Sequence, residues 1–269
     1  MDADRIRPPA VAGRFYPGDP AELDASVRSH LALARSAAED EPPDTHLKAV
    51  IVPHAGFVYS GSVAASAYLR VAAVASRVRR VVLLGPSHRV FVQGLASSSA
   101  DAFATPLGRV PLDRDAIARA ETLPAVVADD TAHADEHSLE VQLPFLQSVL
   151  GDFLLVPFAV GEASTEEVDE LLELLWGGDE TLIVISSDLS HYYEYDTARR
   201  LDRATMRAIE ALDPEDLDAE SACGRIPVCG LLAAARRYGL TARTLDLRNS
   251  GDTAGSHDQV VGYGAWAFA

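Results

Sequence analysis

Cysteine is scarce in this 269-residue chain: Cys223 and Cys229 are the only two, and neither belongs to a CxxC pair. A disulfide framework and a structural zinc ribbon are thereby excluded, and a reducing, cytoplasmic setting is expected. Lysine is scarcer still, with Lys48 alone among 23 basic residues against 40 acidic ones. The resulting formal charge of −17 repels phosphate backbones, so nucleic acid is not expected as a partner. No apolar run approaches the roughly twenty residues needed to cross a bilayer. The opening MDADRIRPPAVAGRF is charged and broken by Pro8 and Pro9, unlike a secretory leader, and no membrane association is expected. Phosphate cradles are missing as well: there is no GxxxxGK[ST] and no GxGxxG after a strand.

Apolar residues make up 48% of the chain, enough for a sizeable core without staples. With no internal repeat and no long linker, one domain over residues 1–269 is expected. Leu23, Val27, Leu31 and Ala34 recur at helical spacing over Pro20–Ala38, behind Asp19 as N-cap, and the polar stretch Ser36–Thr45 reads as a surface loop. Strands are expected at Lys48–Val52, Arg80–Leu84, Phe153–Ala159, Thr181–Ser186, Thr241–Leu247 and Val260–Phe268. Helices are expected between them, near Ser60–Val78, Asp113–Glu121, Leu139–Leu150, Ser164–Trp176, Thr197–Leu212 and Val228–Tyr238. This alternation predicts an α/β fold of three αβα layers around a mostly parallel sheet, with edge strands free to run antiparallel. Val92–Ala96 and Arg109–Pro111, joined through FATPLG, form a β-hairpin or excursion in this reading.

Three strand-like runs end in histidine: KAVIVPHAG at His54, RRVVLLGPSH at His88 and TLIVISSDLSH at His191. Open α/β sheets bind ligands beyond the carboxyl ends of their strands, so these imidazoles are placed to converge. Two neutral imidazoles are a usual start for a first-row metal site. DEHSLEVQLPFL adds Glu136 and His137, with Asp135 or Ser138 as helix caps and Glu140 one turn from Glu136. Asp188, three residues before His191, has the spacing of a group that orients an imidazole or tunes its basicity. Cys223 offers a soft ligand or a nucleophile, whereas Cys229 reads as a small packed residue and His257 as a loop histidine.

Taken together, PAVAGRFYPGDP, PHAGFVYSG, LGPSH, DEHSLEVQLPFLQ, SSDLSHY, CGRIP and VVGYGAWAF resemble the MEMO family (mediator of ErbB2-driven cell motility). Its prokaryotic members are called AmmeMemoRadiSam system protein B, and the match runs from about residue 7 to the C-terminus. The resemblance implies the fold of class III extradiol dioxygenases, which hold non-haem iron(II) with two histidines and a glutamate. It implies metal ligation by His54, His88 and Cys223, His191 with Asp188 beside it as the acid–base pair, and His137, Glu136 and Tyr59 around the pocket. AMMECR1-type and radical SAM proteins are the partners implied. Exchanging a carboxylate for a thiolate favours softer or redox-active ions, so one iron(II) or copper per chain is expected. Dioxygenase activity does not follow from the fold alone.

Three readings follow. The first is a metal-dependent redox protein on His54, His88 and Cys223. The second is a module that grips a peptide or small anionic ligand in the same pocket. The third is a hydrolase-like catalyst with Cys223 as nucleophile, His191 as base and Asp188 as orienter.

Overall fold

The computed structural model describes residues 5–38 and 46–269. Its first elements are β1 (Ile6–Arg7), α1 (Pro20–Ala37), β2 (Ala49–Val52), α2 (Phe57–Val74), β3 (Arg80–Pro86), β4 (Leu95–Ser97), β5 (Ala102–Thr105) and β6 (Gly108–Pro111). Then come α3 (Arg114–Ala120), β7 (Val126–Ala128), α4 (Asp130–Ala134), α5 (Leu143–Leu150), β8 (Leu154–Val160), α6 (Thr165–Leu175) and β9 (Thr181–Ser186). The chain closes with β10 (His191–Tyr193), α7 (Tyr195–Glu210), α8 (Arg225–Tyr238), β11 (Ala242–Asn249), α9 (Ser250–Thr253) and β12 (Val260–Phe268).

Strands β2, β9, β3 and β8 lie side by side, all parallel, and form the middle of a nine-stranded sheet. Their residues are buried on both faces, as expected of a sheet covered by helices. Antiparallel strands flank this centre, with β12, β10 and β11 on one side and β4 on the other. Helices α1, α2 and α5 cover one face, while α3, α6 and α8 cover the other. The three αβα layers are thus as the sequence implied. The expected hairpin exists as β5 and β6 in a small second sheet with β1, but Val92–Ala96 feeds β4 of the main sheet instead.

Local chemistry explains where the elements start. Asp19 Oδ1 accepts the amides of Ala21 and Glu22 at 2.9 and 3.0 Å, a cap contributing about 1 kcal/mol. Ser36 and Ala37 complete α1, and residues 39–45 of the expected surface loop lie outside the described residues. Helix α2 begins earlier than expected because the Phe57 amide is held by the Phe15 carbonyl at 2.7 Å. By length and composition α2 is apolar enough to cross a membrane, yet eleven of its residues are buried in this fold. Before Pro144 the chain forms a 3-10 turn over Glu140–Gln142, since proline cannot donate the next α-helical bond. Helix α8 begins at Arg225, upstream of the expected Val228, because Pro227 falls in its first turn, where a missing amide costs nothing.

Candidate metal centre

The carboxyl ends of β2, β3 and β9 lie together and deliver His54, His88 and the segment from Ser187 to His191 to one place. Cys223 arrives from the turn before α8. Its amide donates to the Asp188 carbonyl at 3.2 Å, and the Gly224 amide donates to Ser187 Oγ at 2.9 Å. A Cβ on Gly224 would come within 2.7 Å of the Ser187 Cβ, so only glycine lets this turn approach β9 so closely. These residues line a cavity of about 530 Å³ together with Arg89, His137, Tyr192, Tyr193 and Glu220. A slightly larger cavity of about 590 Å³ near Leu107, Gln147 and Phe153 is lined by neither histidine nor cysteine, so the smaller one carries the chemistry.

One ligand atom from each of His54, His88 and Cys223 lies within 4.8 Å of the others. His54 Nε2 is 3.4 Å from Cys223 Sγ. Burial pushes the His54 imidazole well below its usual range, so it is neutral. Burial and the neighbouring Asp188 push the Cys223 thiol up, so it stays protonated without a cation to draw off its proton. Two imidazoles and a thiol facing one another fit a borderline or soft transition-metal ion, whose charge lowers the thiol pKa.

His88 Nδ1 lies 2.9 Å from Glu136 Oε1. Burial opposes charge on Glu136, but the hydrogen bond and charge of His88, with the Ser138 and His88 amides, bring its carboxyl down to about 2. An ionised carboxylate only accepts, so His88 Nδ1 carries a proton and Nε2 is the ring nitrogen left to meet an ion. A second group, His88, Glu136 and His137, also brings ligand atoms within 4.8 Å of one another. Glu136 Oε1, however, already accepts the His137 and Ser138 amides at 2.9 Å, and Oε2 accepts the His88 amide at 2.5 Å. Four donors, three of them on Oε1, thus hold this carboxylate in place, and it braces the His88 and His137 turns. His137 Nδ1 lies 3.3 Å from the same Oε1 without a hydrogen-bonding angle. Its ring sits 4.7 Å from both His88 and Phe15, and burial lowers it to about 4 against the raising effect of Glu136.

A model for a Memo-like protein matches residues 7–267. The chain belongs to the Memo family. It is 37% identical to a MEMO1 family protein of Aquifex aeolicus over 96% of this chain and 97% of that one. It is 38% identical to a MEMO1 family protein of Aeropyrum pernix, with 97% and 99% coverage. The crystal structure of an uncharacterized Escherichia coli K12 protein is similar in fold, with a TM-score of 0.56 at 13% identity, covering 82% of this chain and 99% of that one.

In this Memo family chain, sequence and structure differ at four points. Asp188 does not orient His191: its Oδ1 accepts the His54 amide at 2.7 Å, and His191 Nδ1 donates to the Leu189 carbonyl at 2.7 Å. Burial raises Asp188 to about 7, against the amide bonds from His54 and Ala55, and burial lowers His191. Tyr59 is 40% exposed and outside the cavity lining; Tyr192 and Tyr193 stand there instead. Neither Asp135 nor Ser138 starts a helix as its N-cap: Asp135 is the C-cap of α4, and Ser138 Oγ donates to the Pro86 carbonyl at 2.9 Å. Glu140 does not share a face with Glu136 toward the cavity. It accepts the Ala10 and Val11 amides at 2.7 and 3.0 Å, the Tyr16 hydroxyl and the Arg7 guanidinium, and so pins the N-terminal segment. Tyr192 has φ +63°, on the bulge between the β10 residues paired with β12, and this turns its ring to the cavity rim.

Proposed function

We propose that the protein binds one iron(II) or copper ion on His54, His88 and Cys223 and uses it in redox chemistry on a small molecule admitted to the adjoining cavity. The mutual approach of one imidazole nitrogen from each histidine and the thiol sulfur within 4.8 Å carries this reading. Bound there, the ion would supply one-electron chemistry and Lewis acidity beside the cavity. His191, with Nδ1 committed to the Leu189 carbonyl, presents its Nε2 lone pair as a proton acceptor for a molecule in the cavity. Among the described residues Arg89 is the one permanent cation lining the cavity, beside the carboxyl groups of Asp188 and Glu220, and it offers a partner to a negatively charged group of the substrate. Asp188, which also lines the cavity, holds the His54 turn by accepting the His54 and Ala55 amides. The buried, protonated Cys223 thiol weighs against a hydrolase reading, which requires a thiolate at neutral pH.

The test is metal analysis of tag-free protein purified without oxygen. About one iron or copper per chain is expected, lost in both His54→Ala and Cys223→Ala. Unchanged metal content in both variants overturns the reading, and a small anion or peptide bound equally well after metal removal favours a binding module.

A further inference from the structure

Behind His54, away from the cavity, lies a chain of hydrogen bonds among residues that are buried completely: Tyr68, Gln142 and Ser186. Ser186 Oγ is surrounded by the Ser138 carbonyl at 2.6 Å, Gln142 Nε2 at 2.8 Å and His54 Nδ1 at 2.9 Å. A hydroxyl owns one hydrogen, and a carbonyl oxygen can only accept. The Ser186 hydrogen therefore goes to Ser138.

The Gln142 amide is fixed just as firmly. Its Nε2 lies 2.9 Å from the Pro53 carbonyl, and its Oε1 receives the Tyr68 hydroxyl at 2.8 Å. Turning the amide over would set two oxygens against each other at Pro53. One Gln142 hydrogen thus goes to Pro53 and the other to Ser186. With its hydrogen given to Ser138 and one hydrogen received from Gln142, Ser186 Oγ can meet His54 only as an acceptor. His54 Nδ1 must supply the proton.

We propose that Gln142 and Ser186, backed by Tyr68, are positioning residues that lock His54 in the Nδ1–H tautomer, so that its Nε2 lone pair permanently faces Cys223. On His88 it is the Glu136 carboxylate that holds Nδ1 as a donor. A neutral imidazole without such a partner divides between two tautomers, and the Nε2–H form cannot donate to an ion in the cavity. The consequence for metal binding rests on the reading proposed above; the tautomer does not. Such outer hydrogen bonds typically change metal affinity 10–100-fold when removed.

The experiment is a long-range proton–nitrogen correlation spectrum of metal-free protein labelled with nitrogen-15 histidine. His54 is assigned by its loss in His54→Gln. A protonated Nδ1 and an unprotonated Nε2 are expected in the unmodified protein at neutral pH. Ser186→Ala and Gln142→Met, each shown to be folded by circular dichroism, should move His54 toward the Nε2–H form. Anaerobic titration with iron(II) and with copper(I) should show affinity reduced about 10-fold or more in both. A protonated Nε2 in the unmodified protein overturns the proposal, as does a folded Ser186→Ala variant that keeps the original tautomer. If the tautomer is as stated but the unmodified protein binds neither ion, the lock stands and the metal reading alone falls.

Discussion

Glu136 holds His88 by two separate contacts, its Oε2 on the backbone amide at 2.5 Å and its Oε1 on the ring Nδ1 at 2.9 Å. One carboxylate therefore sets both where the His88 loop sits and which way its imidazole faces. Replacing it with glutamine keeps the shape but removes the charge that obliges His88 Nδ1 to donate. Glu136→Gln is expected to weaken metal binding about 10–100-fold while leaving the fold intact. Equal affinities in an anaerobic metal titration would show that the brace is dispensable.

His191 borders the cavity but stands outside the group of three ligand atoms. His191→Gln should retain about one metal ion per chain, whereas His54→Ala should retain almost none. Elemental analysis of the two variants side by side separates a proton-handling residue from a ligand. Metal loss in His191→Gln would reassign it as a ligand.

Glu140 is completely buried and paired with the almost equally buried Arg7. Removing the acid strands a guanidinium without a counter-charge, which costs about 3–5 kcal/mol. Glu140→Gln is accordingly expected to lower the urea midpoint strongly. A shift of only a few tenths of a kcal/mol would mean that the remaining contacts of Arg7, to the His133 and Glu136 carbonyls, suffice to hold it.

Burial lowers His133 to about 4, and its Nε2 lies 2.9 Å from the Ala96 carbonyl. The folded chain keeps this imidazole neutral, while the unfolded chain protonates it below about 6.5. Its contribution is therefore complete above pH 6.5 and is lost as the pH falls toward 4. The full loss amounts to about 3 kcal/mol. His133→Phe should flatten the stability profile between those two pH values. Parallel profiles for the two proteins would exclude His133 as the cause.

The strand ends that place His54, His88 and His191 were legible because parallel strands buried on both faces read as unbroken apolar runs, closed by Pro53, by Gly85-Pro86 and by the polar Ser187-Asp188. Thr181–Ser186 coincides with an observed strand for that reason, and Val260–Phe268, although antiparallel, does so because it too is almost wholly buried. The short strands β4 and β7, of three residues each, carry no such signal, since pairing with neighbours distant in sequence defines them. Asp188 shows why spacing fails for side-chain partners. Three residues before a histidine is close along the chain, but the sharp turn after β9 sends the carboxylate to the β2 turn and leaves the backbone of Leu189 nearest the ring. Ser186 and Gln142 read as an ordinary strand end and a helix position; only the packing of α5 and α2 beneath the sheet edge shows their hydrogens to be spoken for.

Phe15 lies against His137, and the contacts of Glu140 keep the segment around Phe15 in place. The chamber wall formed by His137 is thus backed by Phe15, while the lining itself runs from His54 to Cys223. Deleting the segment before α1, or tethering a bulky fusion across it, takes away the support behind His137 rather than a tail. Truncation series and tagged preparations should therefore be judged by metal retention as well as by solubility.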